Sequence, residues 1–262
     1  MSARARDGRL WEIDAARTVA IAIMVVYHAG YDVDRLGPSV DVDSLSGGWR
    51  ALQIATGSSF LFLVGVSLAV SNARGRARGL SGWELYRRHA RRAAIVLGAA
   101  LLVTLATLVA LGPDEYVRFG ILHCIGAAML IGPLLVRLGP VNAALALAVL
   151  IVGMMLLRSD PSDAPGLMVL GVRSPEGAGV DWYPLLPWLA PVLAGLAAGK
   201  GLYPDGSRGS WGRWLPTPRW ARAAGWPGRH ALPIYLVHQL VLIPLVAAGL
   251  ALAGVTVDWG GL

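Results

Sequence analysis

Thiols and lysines are nearly missing from this chain. It has one cysteine, Cys124, and one lysine, Lys200, in 262 residues. A single cysteine excludes an intramolecular disulfide framework and any site built from several thiolates. Charge is scarce too, at 15% Asp, Glu, Lys and Arg, against about a quarter in an ordinary soluble domain. With 55% hydrophobic residues and a mean hydropathy of +0.57, a soluble globular enzyme does not fit. The same apolar content excludes a disordered chain. What the chain has in excess is basic charge, +7 net with a pI of about 10.2. Where those charges fall decides what they mean.

A bilayer core takes about 20 apolar residues per helix. Seven stretches approach that length: 13–31, 49–71, 93–112, 119–136, 141–157, 182–202 and 231–253, the fifth being the shortest. They predict an all-α fold, a single transmembrane domain over 1–262 built as a seven-helix bundle. Interior Pro and Gly do not argue against spans, because neighbouring helices and water re-satisfy the freed backbone groups. The first stretch follows a basic front, Arg4, Arg6 and Arg9, as a signal peptide would. However, Asp14, Arg17 and His28 interrupt it, and no small-x-small cleavage site follows. With the N-terminus in the cytoplasm and the C-terminus outside, 18 of the 23 basic residues fall on the inner side. Of the 16 acids, 11 fall on the outer side, Asp32 and Asp181 among them. Inner loops rich in Lys and Arg set orientation, so the high pI is a matter of topology and no nucleic-acid partner is expected. Trp11 and Trp226 sit at inner boundaries, Trp49 and Trp182 at outer ones, the depth indole rings prefer. The stretch 203–228, with Trp211, Trp214, Trp220 and Trp226 among Arg, Gly and Pro, is expected to lie in the headgroup layer of a cell membrane.

Titratable groups at membrane depth cost several kcal/mol by the lower estimates, so each asks for a reason. Arg17 and His28 lie on the first span, eleven residues apart. That spacing returns to within about 20° of one face and separates them by roughly 16 Å along the axis. Asp14 can pair with Arg17 across one turn. His123 enters the fourth span at a depth like that of His28. His238 lies in the last span with Gln239 beside it and Tyr235 one turn earlier. His89 falls among the arginines of the stretch 74–92 and is expected to be solvated. The plain readings are a snorkelling anchor for Arg17 and interhelical contacts for the histidines. Three histidines in one small bundle favour a functional centre instead.

No HExxH-like pair suggests a metal site, and none is expected. No acid is expected mid-span and no inverted repeat is visible, which argues against a proton-coupled carrier. Lys200 lies at the inner end of the sixth span, so a retinal Schiff base in the final helix is impossible. A histidine beside a polar cavity can act as general base on an amine or hydroxyl. Arg87, Arg88, Arg91 and Arg92, within a run of seven arginines, are suited to phosphate, although topology alone would place arginines there. Gly195 and Gly199 form a GxxxG pair for close helix packing. Gly57-Ser58-Ser59 could admit a neighbouring helix or line a cavity. Pro184, Pro187 and Pro191 are expected to bend or break the sixth helix near its outer end.

Several blocks resemble one family. They are the opening from Arg9 through Asp14 and Arg17 to Tyr27-His28, then Gly57 to Gly65, and Arg118 to Gly126 around His123. Tyr183 to Trp188 with Gly195 and Gly199 follows, and then Gly228 to Gln239 around His238. In this order they resemble bacterial membrane proteins related to the catalytic domain of heparan-alpha-glucosaminide N-acetyltransferase. The Arg17-x10-His28 spacing also resembles the wider group of integral-membrane sugar acyltransferases. The resemblance implies transfer of an acyl group, the acetyl of acetyl-CoA, from the cytoplasmic side to a saccharide amine or hydroxyl beyond an inner membrane. It implies that Arg17 helps hold the donor and that His28 is base or acyl carrier. His123 and His238 match block positions and complete the candidate catalytic set. Two departures stand out. Thr18 follows Arg17 where the family motif usually continues with Gly, and 32–48 holds no histidine where the lysosomal enzyme's catalytic histidine lies. A transporter or flippase for a glycan precursor and a non-catalytic membrane subunit remain alternatives, and the sequence leaves room for a homo-oligomer.

Overall fold

A computed structural model of the chain describes residues 9–164, 166–177, 179–212, 214 and 216–261. Arg4, Arg6 and Arg213 of the inner basic set lie outside the described residues. The chain forms α1 (Trp11–Leu36), α2 (Gly47–Ala77), α3 (Gly82–Leu111), α4 (Ile121–Leu135), α5 (Val141–Leu156) and the short α6 (Leu167–Leu170). It continues with α7 (Leu185–Leu202), the short α8 (Ala221–Ala224) and α9 (Trp226–Arg229), and α10 (Ala231–Leu252). The described residues contain no strand, only one isolated bridge between Phe119 and Trp182. Counting the 3₁₀ turn that extends α4 to Leu138, six helices are long and apolar enough to cross a membrane: α1, α2, α3, α4, α7 and α10. The fifth predicted span, α5, has 16 residues, about 24 Å of helix, and falls short of that measure.

Helix starts explain where the sequence reading placed its boundaries wrongly. Ser81 caps α3: its hydroxyl accepts from Glu84 N at 3.2 Å, and the Glu84 carboxylate accepts from Ser81 N at 2.8 Å. This reciprocal box satisfies two orphan donors and starts α3 well before the apolar run. Arginine is a good helix former, so α2 carries Arg74 and Arg76 and α3 carries Arg87, Arg88, Arg91 and Arg92. The stretch 74–92 is therefore mostly helical rather than a loop. His89, expected to be solvated, is 2% exposed because its face of α3 turns inward. Likewise α1 runs on to Leu36, which brings Asp32 into the helix and buries it completely. Asp32 lies near the end of α1, just past the predicted span 13–31, so a buried acid stands at the edge of the first span and not in its middle.

At the centre, α2 and α7 approach backbone to backbone. A side chain on Gly65 would meet the Val192 carbonyl and Leu196 N, and one on Gly195 would meet the Phe62 carbonyl. One on Gly199 would meet Ala69 and Val66. The GxxxG pair is thus a packing device, as small residues in membrane helices commonly are. Gly153 on α5 lies against the Pro187 backbone, which ties α5 to α7. The proline expectation holds: Leu186 departs from helical geometry and the Leu186–Pro187 bond is cis. By contrast α3 and α10 are peripheral. Leu101, Leu102, Leu105 and Val109 on α3, and Leu240, Leu245 and Leu252 on α10, are exposed. Apolar surface of this extent suits lipid rather than water.

Loops gather at two ends. At one, Arg35 pairs with Glu115 at 2.7 Å, Arg118 with Glu176 at 3.7 Å, and Asp258 N donates to the Leu36 carbonyl at 2.9 Å. At the other, Arg208 pairs with Glu12 at 2.7 Å, Arg74 donates to the Gly206 carbonyl at 2.7 Å, and Gly139 lies against Lys200. These are termed the acidic and basic ends below.

Candidate functional site

α1 and α10 lie side by side, and their contact brings together residues far apart in sequence. The His28 and His238 rings stand edge to face with centroids 4.7 Å apart. Tyr27 flanks the first ring and Tyr235 the second, each at 5.3 Å. Both histidines are only partly buried, so the pair is not sealed inside the bundle.

Hydrogen bonds settle the tautomers. His28 Nδ1 lies 2.8 Å from the Met24 carbonyl, one turn back on α1. A carbonyl can only accept, so Nδ1 carries the hydrogen and Nε2 presents a lone pair. His238 Nδ1 bonds the Tyr235 carbonyl in the same manner, and its Nε2 has no partner among the described residues. In their neutral form the two imidazoles offer basic Nε2 nitrogens at the α1–α10 contact, each with its ring orientation held by backbone. That is the arrangement a general base or a nucleophilic imidazole needs.

One turn beyond His28, Asp32 shares its face of α1. Gln239 Nε2 donates to Asp32 Oδ1 at 3.1 Å. In the sequence Gln239 stands beside His238, while Asp32 is one of the outer acids. The four-residue step from His28 to Asp32 was the signal that links them.

Arg17 is held elsewhere. Its guanidinium donates to Asp14 at 3.1 Å and to the Ser67 hydroxyl of α2. Arg9 also pairs with Asp14. Arg17 therefore sits at the α1–α2 contact near the basic end, away from the histidine pair. His123 stands apart as well. Its Nδ1 accepts from Gly120 N at 3.2 Å, its Nε2 lies 3.5 Å from the Thr104 hydroxyl, and Phe119 stacks on its ring at 5.5 Å. Those bonds cap α4 and join it to α3. The structure thus brings two of the three span histidines together and gives the third a local partner set.

Asp181 was missed, being one more acid in an outer loop. Its carboxylate accepts from Ile121 N at 3.0 Å, at the N-terminus of α4. Burial holds it above the ordinary carboxylate range, at about 6, although the Ile121 bond works the other way. A side chain on Gly57 would meet the Tyr183 ring, so the small residues there admit Tyr183.

At the basic end, Arg87, Arg88 and Arg91 line a shallow hollow of about 690 Å³ with Leu80, Glu84 and Ala90. Arg92 is not part of that lining. Thr18 accounts for the departure from the family motif. Its hydroxyl donates to the Ala224 carbonyl at 2.7 Å and accepts from Gly228 N at 3.0 Å. It also reaches the Asp14 carbonyl at 3.2 Å. One threonine thereby fastens α8 and α9 to α1. Arg208 and Tyr203 fasten the preceding stretch, both bonding Glu12, at 2.7 and 3.2 Å. The bond to Glu12 raises the Arg208 guanidinium above its usual value. Among the described residues no group of three or more His, Cys, Asp and Glu is placed to hold a metal ion.

Fold and site together define a multi-pass membrane protein with a polar cluster set into apolar helices. The family model described as heparan-alpha-glucosaminide N-acetyltransferase, catalytic, matches residues 9–240, and the chain belongs to this family of membrane acetyltransferases. The matched span contains Arg17, His28, His123 and His238. Comparison with curated proteins and with solved structures gives no match.

Proposed function

We propose that the protein transfers an acetyl group from acetyl-CoA, bound at the cytoplasmic side, to an amine or hydroxyl of a saccharide on the far side of an inner membrane. The carrying observation is the His28–His238 pair, with both Nδ1 atoms tied to backbone and neither Nε2 atom hydrogen-bonded among the described residues. His28 Nε2 takes the proton of the acceptor as its nitrogen or oxygen attacks the thioester carbonyl. The C–S bond breaks, the C–N or C–O bond forms, and the CoA thiolate leaves to be protonated. The neutral acceptor amine or hydroxyl loses one proton, which the imidazole then passes to solvent. His238 lies close enough to share the positive charge that develops.

The donor reading rests on the arginines. In this arrangement seven spans run with the N-terminus inside, α5 included, and the basic end faces the cytoplasm. Arg87, Arg88 and Arg91 then offer guanidinium groups to the CoA phosphates, with Arg92 on the next face of α3. The acyl arm has to climb past the level of Arg17, roughly 16 Å along α1, to reach His28. His123 braces α4 beside this path rather than reacting.

The test is transfer of labelled acetyl from acetyl-CoA to glucosamine in proteoliposomes. His28→Ala is expected to lower the rate by at least about 100-fold at unchanged thermal stability. Wild-type rates in His28→Ala would overturn the assignment. Glycan counterflow without CoA, with no acetyl transfer, would establish the carrier reading instead.

A further inference from the structure

Buried polar atoms without partners are uncommon, and each one points to something that completes it. The cluster between α1 and α10 holds three. Asp32 Oδ2, His238 Nε2 and Gln239 Oε1 are all buried and without a hydrogen-bond partner among the described residues. All three share one character. The carboxylate oxygen and the amide oxygen accept, and His238 Nε2 accepts because Nδ1 carries the hydrogen. Adding His28 Nε2, the unpartnered atoms of the cluster are acceptors, and the second N–H of Gln239 Nε2 is the remaining donor.

Such a set is unfavourable when empty. A buried carboxylate needs an opposite charge or several donors, yet Asp32 is fully buried and, among the described residues, takes one bond, from Gln239. The partner it is built for must bring donors. A hydroxyl supplies one hydrogen, an amine two and an ammonium three. A water supplies two hydrogens, but its own lone pairs then find few donors in a set made mostly of acceptors.

We propose that Asp32 is an acceptor-substrate-binding residue: its free Oδ2 receives an N–H or O–H of the molecule that reacts at His28, and Gln239 holds the carboxylate in place. The proposal rests on the acetyltransferase reading for what happens at His28, but the binding step stands without it. In chemical terms the ligand carries at least two donor groups set close together, as neighbouring amine and hydroxyl groups on a sugar ring do. One donor reaches Asp32 and the other faces the histidine pair. Asp32 touches no reacting atom in this arrangement, so its effect falls on acceptor KM rather than kcat.

The experiment uses the purified full chain in nanodiscs. Binding of glucosamine and of acetyl-CoA is measured by calorimetry for wild type, Asp32→Asn and Gln239→Leu. Asp32→Asn replaces one carboxylate oxygen by a donor, and glucosamine binding is expected to weaken at least tenfold while acetyl-CoA binding is unchanged. Gln239→Leu leaves the carboxylate present but unheld, with an expected loss of threefold or more. It carries the test alone where Asp32→Asn does not fold. Glucosamine binding equal to wild type in the folded variants, or no glucosamine binding by wild type, overturns the proposal. Acetyl transfer with unaltered acceptor KM in Asp32→Asn also overturns it and leaves the acetyltransferase reading standing. Asp32-dependent glucosamine binding without acetyl transfer supports it and removes that reading.

Discussion

Asp181 ties the loop before α7 to the start of α4 through the Ile121 N–H. A carboxylate there is favoured by that donor and by the helix dipole, but burial outweighs both and holds the carboxyl near 6, against 3.8 when free. A carboxyl raised on folding is most favourable when protonated. Its contribution is complete below pH 3.8 and is lost as the pH climbs through about 6. Asp181→Asn keeps an oxygen for Ile121 and removes the titration. In detergent, wild type is expected to lose stability relative to the Asn variant between pH 4 and 7, by an amount of the order of 2 kcal/mol. Parallel Tm curves for the two proteins would show that the carboxyl does not titrate in that window. This residue was not legible in the sequence, since an acid in an outer loop looks like any other. Thr18 was legible only as a departure, because its meaning lies in Ala224 and Gly228, some two hundred residues away. His28 and His238 were legible singly as titratable groups in apolar helices. Their pairing was not, because no local period relates α1 to α10.

Element by element, the apolar runs foretold the helices, but the ends followed local chemistry. The capping box at Ser81 and Glu84 and the arginines after it carried α3 through residues that composition alone assigns to a loop. The same misplacement hid Asp32, one residue past the boundary drawn at residue 31. Close packing was easier to read, because glycine at four-residue spacing has few other uses in a membrane helix. The α2–α7 contact shows the cost of changing it. A Cβ on Gly195 would come within 2.9 Å of the Phe62 carbonyl carbon and 3.1 Å of Val66 N. Backbone atoms in a helix cannot step aside singly, so Gly195→Ala is expected to lose about 1–3 kcal/mol. Gly201, on the same helix, faces open space, and Gly201→Ala is expected to gain up to about 1 kcal/mol from helix propensity. Opposite signs in thermal unfolding of the two variants identify backbone contact, not glycine content, as the cause. A loss at both positions would show that α7 needs flexibility instead.

For the molecule as a whole, the contacts between loops carry the topological argument. Every contact named for the acidic end joins segments that the charge count assigned to the outside, such as Arg35 with Glu115. Those named for the basic end join segments assigned to the inside, such as Arg208 with Glu12. α5 starts beside the Gly139–Lys200 contact and ends beside Gly171, which lies against the Leu186 carbonyl and Leu156. It therefore runs from the basic end to the acidic end despite its 16 residues. A helix of about 24 Å can do this where the bilayer thins or where neighbours shield its ends. Cysteine labelling decides the matter. Cys124 is buried, so a Cys124→Ala background leaves only the introduced thiol. Ser39, Ser159 and Ser207 are exposed. Ser39 precedes α2, Ser159 follows α5 and Ser207 follows α7. Seven spans with the N-terminus inside predict that an impermeant maleimide labels Ser39→Cys and Ser159→Cys in intact cells and labels Ser207→Cys only after lysis. With α5 failing to cross, 159 would share the side of Arg137 and stay unlabelled. The basic hollow on α3 and the histidine pair on α1 and α10 would keep their places, but the connection between them would have to be redrawn.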